Sequence, residues 1–196
     1  MVISGCLGPI GDGYHIDHKV SIADAKKYHS AQIESFSETD ADLVSAYTIT
    51  YSEEAIGITL AAQDAGMPVV IAFTVETDGR LPSGQPLGEA ILEVDRTTDN
   101  GPIYYMINCA HPSHFKHVLQ GTAAWRERIR AVRANASCKS HAELDEAEVL
   151  DRGDPKELGF ECVDLTSSLP NLTIFGGCCG TDLHHIEEMC KRIPHV

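Results

Sequence analysis

The stretch "LTIFGGCCGTDLHH", Leu172 to His185, contains a short apolar run, a glycine-rich turn and the first residues of an amphipathic segment. The run from Leu172 to Phe175 predicts a buried strand, because it is short and almost continuously hydrophobic. The segment Asp182–Arg192 predicts a helix. A strand that leads through a turn into a helix is the repeating unit of parallel α/β folds.

The same unit recurs along the chain. Six apolar runs predict strands at Val2–Cys6, Asp42–Ala46, Val69–Thr74, Ile103–Asn108, Ile129–Ala134 and Leu172–Phe175. Helical patterns follow them at Ser21–Ser37, from Ser52 to Gly66, and at Gly88–Asp95, His114–Leu119, Pro155–Leu169 and Asp182–Arg192. Six βα units in succession indicate a parallel sheet, either a doubly wound open sheet or part of a barrel.

Length and composition favour a single soluble domain over residues 1–196. The chain has 196 residues, of which 43% are hydrophobic, and no linker or low-complexity segment divides it. Its net charge of -14 argues against nucleic acid and anionic membranes as partners. There is no pattern of a signal peptide or membrane span, so we expect a cytoplasmic protein. The acidic stretch Lys139–Asp154 predicts a solvated excursion.

Seven cysteines are spread over the chain, and an odd number without an export signal does not favour a disulfide framework. The adjacent pair Cys178 and Cys179 would strain a bond between them. Free thiols and metal ligands are the two interpretations that remain.

The positions of three cysteines favour a metal site. Cys109 follows one predicted strand, and Cys178 and Cys179 follow the last one. The carboxyl ends of parallel strands carry the functional residues of α/β folds. Three thiolates suit zinc and leave a fourth position for a substrate. The alternative is that these thiols are small apolar residues of the core.

Several motifs resemble the homocysteine S-methyltransferase family. They are "NLTIFGGCCGT" at residues 171–181, "INCAHP" at 107–112, "SGCLGPIGDGY" at 4–14 and "RANAS" at 133–137. The order of these motifs agrees with that of the family, and together they extend the resemblance over essentially the whole chain. The family consists of zinc-dependent (β/α)₈ barrels, related to betaine–homocysteine and S-methylmethionine–homocysteine methyltransferases.

The resemblance implies a Zn²⁺ cofactor bound by Cys109, Cys178 and Cys179. It also implies transfer of a methyl group from a cationic donor, such as S-methylmethionine or betaine, to the thiol of homocysteine, which forms methionine. The predicted substrate contacts are Asn108, Asn135, Tyr47, Thr48 and Gly177. No catalytic residue is predicted besides the thiolate that zinc activates.

Two departures from the family stand out. Val2 matches the third strand, so the first two βα units have no counterpart, and the fold is expected to be an incomplete barrel of about six units. Its open edges favour a homo-oligomer or a partner chain that covers them. In "DLVSAYTITYSEE", Tyr47 stands where most members carry a glutamate that holds the amino group of homocysteine. Tyr47 is therefore either a different contact for this group or an aromatic residue of the rim, and a further alternative is that the thiol substrate is not homocysteine.

The second functional hypothesis is a non-catalytic zinc-binding fragment or a subunit that needs another chain. An iron–sulfur site is a third, with Cys6 as the available fourth ligand, although we expect Cys6 to be a core thiol. We expect His114 and His117 on a helix surface, and His184 and His185 on the polar face of the final helix, where only one of them could point inward. Glu76 is a candidate replacement for the charge that Tyr47 lacks.

Overall fold

A computed structural model describes residues 1–193 of the chain, so the last three residues of the predicted domain lie outside it. Within the described residues, six parallel strands form one sheet in the order β1-β2-β3-β4-β5-β6. They are β1 Ser4–Leu7, β2 Leu43–Ile49, β3 Val69–Phe73, β4 Tyr104–Ala110, β5 Ile129–Ala134 and β6 Ile174–Gly177. This confirms the predicted α/β class with six βα units.

The helices alternate with these strands. They are α1 Ile22–Ser37, α2 Ser52–Asp64, α3 Leu87–Thr98, α4 Pro112–Phe115, α5 His141–Asp145, α6 Pro155–Asp164 and α7 Leu183–Arg192. Short 3₁₀ helices lie at Lys116–Leu119, Ala124–Arg128 and Leu165–Ser167. Ser21 caps α1, because its side chain accepts a hydrogen bond from the Asp24 amide at 3.1 Å. No helix in residues 1–193 has the length and hydrophobicity of a membrane span.

The chain divides into two compact units, of which the first contains Met1–Thr74 and Leu81–Met106. Its helices α1 and α2 approach each other closely at Gly57, where a Cβ atom would lie 2.5 Å from that of Ala25. Only glycine fits there. Strand β2 pairs with β3 through a register shift between Ala46 and Ile49, so β2 runs beyond its predicted end at Ala46.

A buried polar pair lies inside this first unit. Glu54, in the first turn of α2, is fully buried, and its Oε1 atom lies 3.0 Å from Nε2 of His29 on α1. The same oxygen accepts a hydrogen bond from the Ile10 amide at 2.6 Å. Glu54 therefore connects the loop after β1 to both helices.

The second unit contains Val75–Arg80 and the chain from Ile107 onward. Strands β5 and β6 pair in register, with Ala134 opposite Gly177, so both strands end at the same level. Helices α6 and α7 pack on each other, and their buried side chains include Leu158, Cys162 and Met189. The carboxyl ends of β4, β5 and β6 position the site described below.

The stretch Lys139–Asp154 is mostly exposed, as expected for an excursion, and contains the short helix α5. Its two ends are fixed to the second unit. Asp151 accepts a hydrogen bond from the Ser137 hydroxyl at 2.9 Å, and the Arg152 carbonyl lies 2.9 Å from Nε2 of His185. The stretch is thus a closed loop with a defined position.

Candidate metal centre

Three thiols converge at the ends of β4 and β6. Cys109 is the penultimate residue of β4, and Cys178 and Cys179 directly follow β6. Their sulfur atoms all lie within 4.8 Å of one another, and those of Cys109 and Cys178 are 2.6 Å apart. The fold thus brings together the three cysteines that the sequence analysis selected, although Cys109 is distant from the other two in the chain.

The backbone of Cys109 adopts an unusual conformation. Its φ angle is 53°, in the left-handed region that residues other than glycine rarely occupy. Such a residue turns its side chain away from the regular alternation of a strand, and the conformation carries a cost in free energy that the surrounding structure must offset. The unusual backbone conformation thus belongs to one of the three cysteines of the candidate metal site. In the first unit, Thr48 of β2 adopts the same conformation, with φ 58°.

A tight turn presents the two adjacent cysteines. The Cys178 amide donates to the Ala134 carbonyl at 2.8 Å, which extends the β5–β6 pairing. The Cys178 carbonyl accepts from the Thr181 hydroxyl at 2.7 Å. Gly177 is required here, because a Cβ atom at this position would lie 2.1 Å from the Thr181 hydroxyl oxygen. Gly177 therefore shapes the turn that carries both thiols.

Asn135 holds the double-cysteine turn from the neighbouring strand. It is 2% exposed, and its Oδ1 atom accepts a hydrogen bond from the Cys179 amide at 3.1 Å. The backbone amide of Asn135 donates a hydrogen bond to the carbonyl of Ala110, at the end of β4, at 3.1 Å. Asn135 thus connects the two segments that supply the thiols. Asn108 is also buried, next to Cys109 in β4.

Burial and electrostatics differ among the three thiols. Cys109 is buried, Cys178 is half-buried and Cys179 is exposed, so the cluster opens on one side. Hydrogen bonding to the thiols of Cys109 and then Cys179, together with burial, raises the pKa of Cys178 far above its usual range. Without a nearby cation this thiol stays protonated at neutral pH. A divalent ion would favour release of the protons, as zinc does when thiolates bind it.

The donor set fits zinc. Sulfur ligands at about 2.3 Å in a tetrahedral arrangement lie roughly 3.7 Å from one another. The separations in the cluster range from 2.6 Å to less than 4.8 Å, so small side-chain rotations suffice to reach this spacing. Three protein ligands and one open side correspond to a zinc site that binds a further ligand, whereas structural zinc sites usually have four protein ligands.

His141 contacts the backbone of Cys109, and the sequence analysis did not select it. Its Nε2 atom lies 2.6 Å from the Cys109 carbonyl oxygen, and its Nδ1 atom lies 3.4 Å from Oε1 of Glu76. His141 stands in the acidic stretch, whose composition indicates only exposure to solvent. The "SHAE" capping pattern at 140–143 marks a helix start, but it does not show that this histidine returns to the site.

The profile of the homocysteine S-methyltransferase family matches residues 1–193. The chain belongs to this family. No curated protein sequence matches the chain significantly.

Solved structures of the homocysteine methyltransferase MmuM from Escherichia coli are similar to this family member. The oxidised form of MmuM has a TM-score of 0.74 and 17% sequence identity, and the match covers 98% of this chain and 61% of that chain. The metallated form has a TM-score of 0.69 and 16% sequence identity, and the match covers 98% of this chain and 61% of that chain. The apo form has a TM-score of 0.68 and 18% sequence identity, and the match covers 98% of this chain and 63% of that chain. These identities support the fold alone. The chain spans about three fifths of the length of MmuM.

Among the described residues of this family member, the three cysteines are the one group of at least three side chains suited to a metal. The expectation that Cys6 is a core thiol was wrong, because Cys6 is exposed. In the described part of the chain, strand β1 is the first in the sheet order and has a neighbouring strand on one edge. Cys162 is buried, and Cys138 and Cys190 are exposed.

Within residues 1–193, no histidine belongs to the group of side chains suited to a metal. His117 is exposed as expected, but the expectation for His114 was wrong, since it is 5% exposed and its Nε2 atom lies 2.9 Å from the Cys138 carbonyl. Burial and then the proximity of His114 lower the pKa of His111 to about 4. His185 is buried and His184 exposed, which confirms that one of this pair points inward.

Tyr47 and Thr48 lie in the first unit, on β2 at the register shift, and both are half-buried. A Cβ atom on Gly13, in the loop after β1, would lie 2.9 Å from the Thr48 methyl carbon. The loop therefore packs directly on Thr48. Tyr47, predicted to stand in place of the family's glutamate, has a half-buried side chain.

Proposed function

We propose that this chain is a zinc-dependent S-methyltransferase domain that moves a methyl group from a cationic small molecule to the thiol of homocysteine, forming methionine. The observation that supports it best is the convergence of Cys109, Cys178 and Cys179 in a chain of this family. The proposed domain comprises residues 1–196 and contains the six βα units described above. We expect it to act in the cytoplasm, in methionine biosynthesis.

Cys109, Cys178 and Cys179 would hold the zinc. Zinc bound by three thiolates lowers the pKa of an added thiol and keeps its sulfur electron-rich. The chain's own contribution is to fix these ligands. The Asn135 side chain accepts a hydrogen bond from the Cys179 amide, and Gly177 permits the turn that carries the two adjacent cysteines. The left-handed backbone of Cys109 directs its thiol towards the cluster. The buried Asn108 supports the end of β4 and is a further proposed substrate contact.

For the amino acid part of the acceptor we propose contacts with Tyr47 and Thr48. A phenol oxygen accepts a hydrogen bond from an ammonium group without offering the full negative charge of a carboxylate. A hydrogen bond from an ammonium group to a hydroxyl is weaker than one to a carboxylate. We therefore expect the chain to bind homocysteine less tightly than family members with a glutamate.

The transfer balances without a further reactant. A new bond joins the methyl carbon to the acceptor sulfur, while the bond from that carbon to the donor's sulfonium sulfur or ammonium nitrogen breaks. The bonding electrons leave with the donor, which departs as a neutral molecule, and the acceptor's proton passes to solvent. S-methylmethionine and betaine are both donors of this class, and the residues described do not favour either.

A second candidate function is that of a non-catalytic zinc-binding fragment or of a subunit that acts after a second copy or another polypeptide covers its sheet edges. Strands β1 and β6, at the two ends of the sheet order in residues 1–193, support this candidate. Neither nucleic acid nor membrane is a proposed partner.

The test is methionine formation by the purified, reduced and zinc-loaded chain. Homocysteine would be supplied with S-methylmethionine or with betaine, and Cys178→Ser would serve as the inactive variant. We expect methionine with one donor, and none from the variant. Zinc bound without methionine from either donor would contradict the enzymatic proposal and favour the second candidate.

A further inference from the structure

His141 is a nearly buried side chain at the edge of the metal centre. Its side chain is 8% exposed, although it lies in a stretch where most residues face solvent. The ring approaches the Cys109 carbonyl oxygen to 2.6 Å through Nε2. Because a carbonyl can only accept, Nε2 must carry a proton and donate it. The contact is therefore a defined hydrogen bond to the backbone of a metal-ligand candidate.

Local structure fixes the position of His141. It is the first residue of α5, and the preceding Ser140 forms a capping box with Glu143. The Ser140 amide donates to the Glu143 carboxylate at 2.8 Å, and the Glu143 amide donates to the Ser140 hydroxyl at 3.3 Å. A capped helix start restrains the backbone on either side of the imidazole. Ser137 and Asp151 close the loop that carries it.

The other side of the ring faces Glu76. The Glu76 carboxylate lies 3.4 Å from Nδ1, at the long end of hydrogen-bond range, and its side chain is 37% exposed. Glu76 begins a tight turn in which its amide donates to the Arg80 carbonyl at 2.8 Å. Nε2 of His117 lies 3.1 Å from the Asp78 carbonyl, within the same turn. The turn thus places a carboxylate beside the imidazole.

We propose that His141 is a positioning residue for the metal ligand Cys109. The hydrogen bond holds the Cys109 carbonyl while the residue keeps its left-handed backbone, so the thiol stays aimed at the cluster. This inference rests on the metal site of the proposed function. Partners outside the ligand set contribute substantially to metal affinity in other proteins.

The experiment compares zinc dissociation constants, measured by competition with a chromophoric chelator on the reduced full chain. In His141→Gln, the amide Nε2 reaches as far as the imidazole Nε2 and can still donate to the Cys109 carbonyl. In His141→Asn the amide is too short to do so. We expect His141→Asn and His141→Ala to weaken zinc binding about 10- to 100-fold, and His141→Gln to stay near the wild type.

His117→Ala is the matched control, since it removes an imidazole that contacts the Glu76 turn but not Cys109. It should leave zinc affinity unchanged. The absorption bands of the cobalt-loaded chain give a second readout, which should shift in His141→Asn and not in His141→Gln. Thermal unfolding of the metal-free variants shows whether each one folds.

Equal zinc affinity in His141→Asn, His141→Gln and the wild type would overturn the inference, and so would an equal loss in His117→Ala. If His141→Ala does not fold, the pair of amide variants decides. Failure of the enzymatic proposal is distinguishable, because it appears as zinc binding without methionine formation. A wild-type chain that binds no zinc would overturn both.

Discussion

At the residue scale, Cys109 concentrates several constraints in one position. It is 5% exposed, its backbone is left-handed, and both its thiol and its carbonyl have assigned neighbours. A conformation of this kind typically costs about 1–3 kcal/mol and persists where surrounding contacts over-determine it. Strain at a ligand position is common in functional sites, and here it accompanies the convergence of thiols.

Asn135 provides a prediction about ligand positioning. Asn135→Leu keeps a similar volume but removes the oxygen that accepts the Cys179 amide. We expect zinc affinity to fall about 10- to 100-fold, measured by chelator competition. Asn171→Leu is the control, because the Asn171 side chain also bonds to the backbone, where it donates to the Glu127 carbonyl away from the thiols. Equal affinity in Asn135→Leu and the wild type would contradict this role.

Cys162 provides a prediction about pH. Burial, and then the charge of Glu161, raise its pKa from 9.0 to about 12. The folded pKa exceeds the unfolded one, so this thiol's contribution to stability is complete below pH 9 and is lost as the pH rises towards 12. At pH 9 iodoacetamide should modify the exposed Cys190 and spare Cys162 in the native chain, as read by peptide mass mapping.

Denaturant supplies the control for that experiment, since both cysteines should react when the chain is unfolded. Rapid modification of Cys162 in the native protein would show that its thiol is not protected by burial.

Some residues of the candidate site could be predicted from the sequence, and others could not. Cys109, Cys178 and Cys179 could be selected because the end of a parallel strand is a recognisable place in a sequence. His141 could not, because its role depends on a loop that returns through tertiary contacts. His114 was wrongly assigned to a surface because α4 is only four residues long and a 3₁₀ turn follows, so helical spacing does not define its faces.

At the element scale, the strands were predictable because apolar runs bounded by turn residues encode them locally. Their ends were less so. β2 extends to Ile49 through a register shift that depends on pairing with β3 rather than on its own pattern. Similarly, α5 lies in an acidic stretch without an apolar stripe, and it forms around a capping box.

The buried Glu54 supplies a prediction about the first unit. Glu54→Ala removes the partner of His29 and the acceptor of the Ile10 amide, which leaves buried polar groups unsatisfied. We expect the free energy of unfolding to fall by about 3 kcal/mol, measured by urea denaturation. Glu53→Ala is the control, because Glu53 is a partly exposed residue that lies 3.5 Å from Lys19. Such surface pairs contribute at most about 1 kcal/mol.

Equal stability of the Glu54→Ala and Glu53→Ala variants would contradict the role of Glu54 as the connection between the loop after β1 and the two helices.

At the scale of the whole molecule, the site depends on chain topology. Cys109 belongs to β4, the double cysteine follows β6, and Asn135 follows the strand that separates them in sheet order. The family could be recognised from sequence because its motifs mark these strand ends. The identity of the donor and the role of Tyr47 could not, because they depend on how a bound molecule fits several loops at once.

The most direct test of the metal centre is the zinc content of well-folded, reduced protein, determined by elemental analysis beside the same measurement on Cys109→Ser, Cys178→Ser and Cys6→Ser. We predict about one zinc ion per chain in the wild type and in Cys6→Ser, and loss of the metal in the other two variants. A folded wild-type chain without bound metal, or full zinc content in Cys109→Ser, would contradict the account.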